Sequence, residues 1–236
     1  MKAGLIAAGL GERLRTGGIA VPKPLVEVAG RPLIDHVLAA VAAAGIDEVA
    51  CILNAEPETD AVEAYCRRRT APRLRVVRRT TPSSMESLFA LAPLLDDGPF
   101  LLLTVDAVFA PDVLRDFLAA AAPRTAADVV LAVTDFVDDE KPLRLTVTPD
   151  GRVVALGEGA GASPLVTAGF YVFQPRVFAE VDAARAARLT ALRQWLGFLR
   201  ERGHRIDGVR IGKTVDVDRP QDIAVADAFV RSGFAS

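Results

Sequence analysis

Two rhythms of apolar and polar positions divide the chain. Through residue 140, short β-branched or leucine-rich runs alternate with alanine-rich stretches. They predict strands at 5–8, 49–53, 74–78, 100–105 and 129–133, with helices at 33–44, 60–69, 84–94 and 112–121. This order is the one expected of a mainly parallel sheet covered by helices on both faces, a Rossmann-like α/β architecture. After Glu140 the segment LRLTVTPDGRVVAL alternates around Asp150-Gly151, predicting a hairpin with a type I′ turn that leaves the parallel core. A strand is then expected at 165–173, helices at 175–184 and 190–202, a strand at 208–211 and a closing helix at 220–230. No repeat or disordered linker interrupts the pattern, so 1–236 reads as one domain.

Composition narrows the classes of partner. Hydrophobic residues make up 51% and charged residues 25% of the 236, ordinary values for a chain that buries a core. Lys and Arg total 28 against 30 for Asp and Glu, so there is no global positive field to attract nucleic acid or an anionic membrane. Apolar runs stop well short of a membrane span, and Met1-Lys2 leads directly into the first strand without a secretory pattern. With Cys51 and Cys66 as the two cysteines, the expected setting is the cytoplasm.

The first strand ends in LIAAGLGERLR, where Ala8, Gly9 and Gly11 allow backbone amides to approach a ligand without side chains in the way. The spacing is neither that of a dinucleotide fold nor that of a P-loop. Arg13 adds charge just beyond the turn, and in VPKPL Pro22 and Pro24 stiffen the backbone on both sides of Lys23, a point charge suited to phosphate. Each part alone is commonplace: glycine turns follow many strands, and loop cations are usually solvated.

Together, G-x-G-x-R-L-R, then P-K-P-L, then G-R-P-L-I resemble the amino-terminal signature of the sugar-phosphate nucleotidyltransferase superfamily. The resemblance implies transfer of a nucleoside monophosphate from an NTP to a phosphorylated small molecule, with Mg²⁺ as cofactor and pyrophosphate released. It gives 1–140 to the nucleotide and 141–236 to the acceptor and the second metal ligand. Asp106, closing the apolar strand FLLLTV, matches the family's metal-binding aspartate, although Val105 stands where the family usually has glycine. In KTVDVDRPQDI, which resembles the late D-[VI]-D-x-P-x-D segment, Asp216 matches the second ligand. Asp218 is either that ligand or the cap of the last helix, with capping favoured. Lys213 either reaches a phosphate or is an exposed strand-end lysine.

In RTTPSSMESLFAL, Ser84 is read as a helix cap, and Ser83, Ser84 and Ser87 as base-recognition residues. The serine-rich helix start resembles small bacterial cytidylyltransferases, which points to CTP. The acceptor region matches least: Glu158 is present, but the lysine usually beside it is missing, while T-A-G-F-Y-V-F with Gly169 resembles the acceptor-contacting strand. Implied partners are an NTP and a phosphorylated small molecule, with no nucleic acid and no membrane, in a monomer or homo-oligomer. Two alternatives stand: a guanylyltransferase of the molybdenum-cofactor type, and a catalytically silent nucleotide-binding regulatory domain.

Other chemistry finds little footing. His36 and His204 have no Ser or Cys partner at a recognisable spacing, and the cysteines form no C-x-x-C. The arginines at 67–69, 73, 75, 78 and 79 read as solvated surface or a subunit contact.

Overall fold

The computed structural model describes residues 1–136 and 142–235, so the expected boundary between halves at 140/141 lies outside the described residues. In chain order the strands are β1 (Lys2–Ile6), β2 (Glu27–Val28), β3 (Arg31–Pro32), β4 (Glu48–Leu53), β5 (Arg73–Arg78), β6 (Phe100–Thr104), β7 (Ala107–Val108), β8 (Val129–Thr134), β9 (Leu145–Val147), β10 (Val153–Leu156), β11 (Val166–Phe173), β12 (Ile206–Arg210) and β13 (Val215–Asp216). The α-helices are α1 (Glu12–Thr16), α2 (Leu33–Ala43), α3 (Asp60–Arg67), α4 (Ser84–Leu95), α5 (Pro111–Ala121), α6 (Val181–Ala186), α7 (Leu192–Glu201) and α8 (Pro220–Arg231).

Seven strands form one sheet in the order β12-β8-β11-β6-β1-β4-β5. All neighbours are parallel except β11, which lies antiparallel between β8 and β6. The expected mainly parallel α/β sheet is thus observed. Its continuous apolar strands are buried on both faces: β8 is buried along its whole length. One face packs under α2, α3 and α5 through residues such as Val37, Val62 and Phe117. The other packs under α4 and α7, where Trp195 lies between Phe89 at 5.2 Å and Phe173 at 5.6 Å. A third cluster joins Leu14, Val28, Val108, Val215, Val217 and Phe229 around α8.

Three local expectations are corrected. The hairpin β9–β10 does stand apart from the main sheet. Its turn is not type I′, however, because Gly151 N donates to Thr148 O at 2.9 Å while Thr148 N donates to Arg152 O at 2.9 Å, making a three-residue loop. Pro149 lacks the N–H that would close a two-residue loop around Asp150-Gly151, and of that pair only Gly151 has the positive φ that a type I′ turn requires of both. The segment expected as a helix at 175–184 begins as a 3₁₀ turn, Pro175–Glu180, docked by Phe178 on Phe100 at 5.3 Å, and α6 follows it. The cap of α4 is Ser83, whose hydroxyl accepts from Glu86 N, rather than Ser84.

A two-residue ladder decides the site. β7 follows β6 at once, and β13 pairs with it antiparallel, setting Asp216 opposite Ala107. Val217 N donates to Asp106 O at 3.0 Å, so two segments about half a chain apart run side by side at the carboxyl edge of the sheet.

Candidate active site

Beyond β1 the chain remains held for one more residue, with Ala7 N donating to Ile52 O, and then opens into the loop at 8–11. Buried Asn54 supports that loop by donating to Ala8 O at 3.3 Å. Gly11 ends it at φ +63°, and a Cβ there would lie 3.0 Å from the Lys23 Cβ, so glycine lets the lysine stem pass against the loop. A cleft of about 510 Å³ follows; Ala8, Gly9, Gly11, Arg13, Lys23, Ser83, Ser84, Ser87, Asp106 and Asp218 all line it. The structure thereby brings the glycine loop, both cations, the serine segment and the first carboxylate of the sequence reading into one place.

Lys23 stands at its centre. Its side chain is only 8% exposed, and Nζ donates to Asp106 Oδ2 at 2.6 Å and to Asp218 Oδ1 at 2.5 Å. Arg13 reaches the other Asp218 oxygen at 3.5 Å. Burial acts to lower the Lys23 pKa, but the two carboxylates outweigh it and hold the ammonium above its ordinary value. Burial likewise acts to raise Asp106, yet Lys23 and a hydrogen bond from Thr104 keep its carboxyl below the usual range. Both groups are charged at neutral pH.

The expectation that Asp218 caps the last helix is corrected. The cap is supplied by Asp222, whose Oδ2 accepts from the backbone N–H of Asp218 at 2.9 Å and of Arg219 at 2.7 Å. With those amides satisfied by a residue inside the first turn, the Asp218 carboxylate is turned toward Lys23 and Arg13.

Asp106 also lines a second cavity of about 190 Å³ on its far side, together with Ser84, Thr104, Thr167, Gly169, Tyr171, Arg193 and Asp216. Gly169 sits at φ +79° where the β11–β8 register slips between Thr167 and Tyr171. A Cβ at that position would come within 3.2 Å of Thr104 Oγ1 and 4.0 Å of Asp216 Oδ1, so only glycine keeps the floor open. Burial pushes the Tyr171 hydroxyl up to about 12; its contact with Thr167 opposes this, Asp216 and Asp106 add to it, and Arg193 opposes it. Asp106, Asp216 and Thr104 offer oxygen donors alone, the set that a hard cation such as Mg²⁺ takes alongside phosphate oxygens and water.

Two sequence-predicted residues lie elsewhere. Glu158 is exposed in the 3₁₀ turn Gly157–Ala160 that follows the hairpin, and lines neither cavity. Lys213 lines a different hollow with Asp112 and Arg115, its ammonium 4.4 Å from the Phe136 ring centroid and 5.1 Å from that of Phe229. It lines neither of the cavities that Asp106 borders. Ser83 and Ser87 are partly engaged within the protein: Ser83 caps α4, and buried Ser87 shares a 2.6 Å hydrogen bond with Thr81. Ser84 lines both cavities.

Sequence reasoning missed Thr81, Thr104, Thr167, Tyr171 and Arg193. The hydroxyl-bearing strand positions carried a signal in T-A-G-F-Y, but Arg193 lies in an ordinary amphipathic helix and had none. The residues set aside have structural partners. His36 meets Val28 O at 2.9 Å, and His204 meets Asp128 and Glu180, each at 3.4 Å. Cys51 and Cys66 are buried against each other; Arg67, Arg73 and Arg75 make surface ion pairs, and the partly buried Arg69 and Arg78 pair with Asp35 and Asp60. Among the described residues no helix is long and apolar enough to cross a membrane.

Comparison with known proteins follows the same lines. The profile described as "MobA-like NTP transferase domain" matches residues 3–204. The N-acetylmuramate alpha-1-phosphate uridylyltransferase of Caulobacter vibrioides is 31% identical over 190 residues, 75% of this chain and 76% of that protein. The CMP-5'-(3-aminopropyl)phosphonate synthase of Streptomyces rubellomurinus is 33% identical over 158 residues, 60% of this chain but 25% of that longer protein. In fold, the chain matches the inositol-1-phosphate CTP transferase from T. maritima with a TM-score of 0.83 at 20% identity, covering 100% of this chain and 98% of that one.

Proposed function

The chain belongs to the MobA-like NTP transferase domain family, and from that premise we propose that this nucleotidyltransferase moves the nucleoside monophosphate of CTP onto a phosphorylated small molecule. The acceptor is a sugar, polyol or amino-alcohol phosphate, Mg²⁺ is the cofactor, and pyrophosphate is released. The whole of 1–236 acts as one catalytic domain, its first half serving the nucleotide and its second the acceptor.

One observation carries the reading: Asp106 is shared between the glycine-loop cleft and the smaller hydroxyl-lined cavity, and it pairs with Lys23 on the cleft side. This sharing supports a polyphosphate in the cleft, an acceptor in the smaller cavity and a carboxylate at their junction. An acceptor phosphate oxygen attacks the α-phosphorus of the NTP and forms the new P–O bond. The bond to the α,β-bridging oxygen breaks, and pyrophosphate leaves with the electron pair. No side-chain nucleophile is required, so the protein acts by alignment and by compensating charge.

In this reading the amides of Gly9 and Gly11 and the Arg13 guanidinium face the triphosphate, while Lys23 serves the α-phosphate. Ser83, Ser84, Ser87 and Thr81 border the base. Asp106 and Asp216 would hold Mg²⁺, which when bound neutralises phosphate charge. Gly169 keeps the acceptor floor open, and Asp218 steadies Lys23.

The serine segment supports CTP, and so does the relative that is named as a CMP-phosphonate synthase. A second reading, transfer from UTP, is favoured by the uridylyltransferase relative, which matches more of the chain. A pyrophosphate-release screen of the common NTPs against sugar 1-phosphates, polyol phosphates and amino-alcohol phosphates, with and without Mg²⁺, decides between them. Fastest turnover with CTP is expected, and a clear preference for another nucleotide overturns the base assignment. Asp106→Asn and Asp216→Asn should each abolish Mg²⁺-dependent release while the protein stays folded; full activity in either removes that residue from the metal set.

A further inference from the structure

The nucleotide cleft and the smaller cavity differ in charge. Arg13 and Lys23 line the cleft, and neither lines the cavity. Among the described residues lining the cavity, Arg193 is the cationic side chain, and it shares that space with the carboxylates Asp106 and Asp216.

Helix α7 fixes this placement. Leu192, Trp195, Leu196 and Leu199 are buried along one face at helical spacing, and Trp195 is pinned between Phe89 and Phe173. Arg193, one position after Leu192, is therefore carried at the exposed rim while Leu192 and Leu196 form part of the wall. The other polar groups facing the cavity are the hydroxyls of Ser84, Thr104, Thr167 and Tyr171.

A phosphate that enters beside two carboxylates needs a fixed counter-charge, since like charges a few ångströms apart repel strongly. A guanidinium answers this with a fork that matches two phosphate oxygens and stays charged at any working pH. We propose that Arg193 receives the phosphate of the acceptor, and so restricts acceptors to phosphate monoesters or phosphonates on a compact, hydroxylated body. The assignment rests on the nucleotidyl-transfer reading above. Held by Arg193, the phosphate presents a third oxygen to the α-phosphorus, where the new P–O bond forms as pyrophosphate departs with the electron pair of the broken bond. Arg193 gives and takes no proton in this step.

The test measures pyrophosphate release by the wild type, Arg193→Ala and Arg193→Lys, with saturating NTP and Mg²⁺. The acceptors are mannose 1-phosphate, inositol 1-phosphate and N-acetylmuramate 1-phosphate. Arg193→Ala should raise the acceptor KM ~10- to 100-fold, the size expected for a lost charge-assisted contact, with the NTP KM changed by less than about twofold and part of the loss recovered by Arg193→Lys. A loss seen on every acceptor that turns over supports the phosphate as the group held. A loss confined to N-acetylmuramate 1-phosphate, which also bears a carboxylate, overturns it in favour of carboxylate recognition. Unchanged acceptor KM values in both variants, alongside wild-type turnover, overturn the role of Arg193 and leave the parent reading intact. Absence of wild-type turnover with every NTP and acceptor overturns the parent reading and this assignment with it.

Discussion

Lys23 Nζ lies 2.6 Å from Asp106 Oδ2, joining a proline-flanked turn near the start of the chain to the end of a central strand 83 residues later. The lysine is almost wholly buried, and Asp218 accepts from the same ammonium, so the charge is held at a point rather than swept over a surface. In a reaction between two anions, that fixity is worth more than charge alone.

Lys23→Met should therefore lower kcat/KM by ~10²-fold or more, the range found when one preorganised donor to a developing charge is removed. Its apolar stem still packs beside Gly11, but Asp106 and Asp218 lose their shared counter-charge, so the melting temperature should fall as well. Steady-state kinetics with a parallel melt checks both; near-normal kcat/KM would remove Lys23 from the reacting centre.

The same pair sets a pH dependence of stability in metal-free buffer. Asp106 is depressed when folded, so its contribution is present above the ordinary carboxylate pKa of about 3.9 and is lost as pH falls through the lower folded value. Lys23 is raised when folded, so its contribution is complete below the ordinary lysine pKa of about 10.4 and is lost only as pH rises through the higher folded value. The difference in unfolding free energy between wild type and Asp106→Asn should be flat from about pH 5 to 9 and shrink in stronger acid. A difference that titrates near neutrality would contradict the pairing.

Asp218 and Asp222 stand four residues apart and should behave oppositely. Asp222→Asn weakens the cap on α8 and should cost ~0.5–2 kcal/mol of stability with a modest effect on kcat. Asp218→Asn loosens Lys23 and should lower kcat ~10-fold with little change in melting temperature, because its carboxylate is about two-fifths exposed. Denaturant unfolding and kinetics on both variants would show the reverse ordering if Asp218 were the cap after all.

Gly169→Ala tests the floor of the acceptor cavity. The left-handed backbone alone should cost ~1–3 kcal/mol. The added methyl, 3.2 Å from Thr104 Oγ1, should also raise the acceptor KM more than the NTP KM. Equal effects on the two substrates would show that the cavity does not belong to the acceptor.

The short α1, β2, β3 and β7 were not legible in the sequence, whereas the α/β class, the main-sheet strands β1, β4, β5, β6 and β8, the helices α2 to α5, and the cluster of Gly9, Gly11, Arg13, Lys23 and Asp106 were. Each depends on short-range information: strand and helix periodicity, glycines at a strand end, prolines around a lysine, a carboxylate closing an apolar run. Other features followed from contacts that no local pattern encodes. The antiparallel insertion of β11 between β6 and β8 places Thr167, Gly169 and Tyr171 beside Asp106. The two-residue ladder β7–β13 brings Asp216 and Asp218 to the same edge. Asp222 rather than Asp218 caps α8, and Lys213 lies against two aromatic rings. Arg193 was invisible for the same reason: an arginine on the polar face of an amphipathic helix has no local mark of purpose. Only the packing of Trp195 against Phe89 and Phe173 decides that the helix begins at the rim of a cavity. Local chemistry writes the elements and the glycine loop, whereas partners far apart in the chain are chosen by burial of the sheet's two faces, a property of the whole fold.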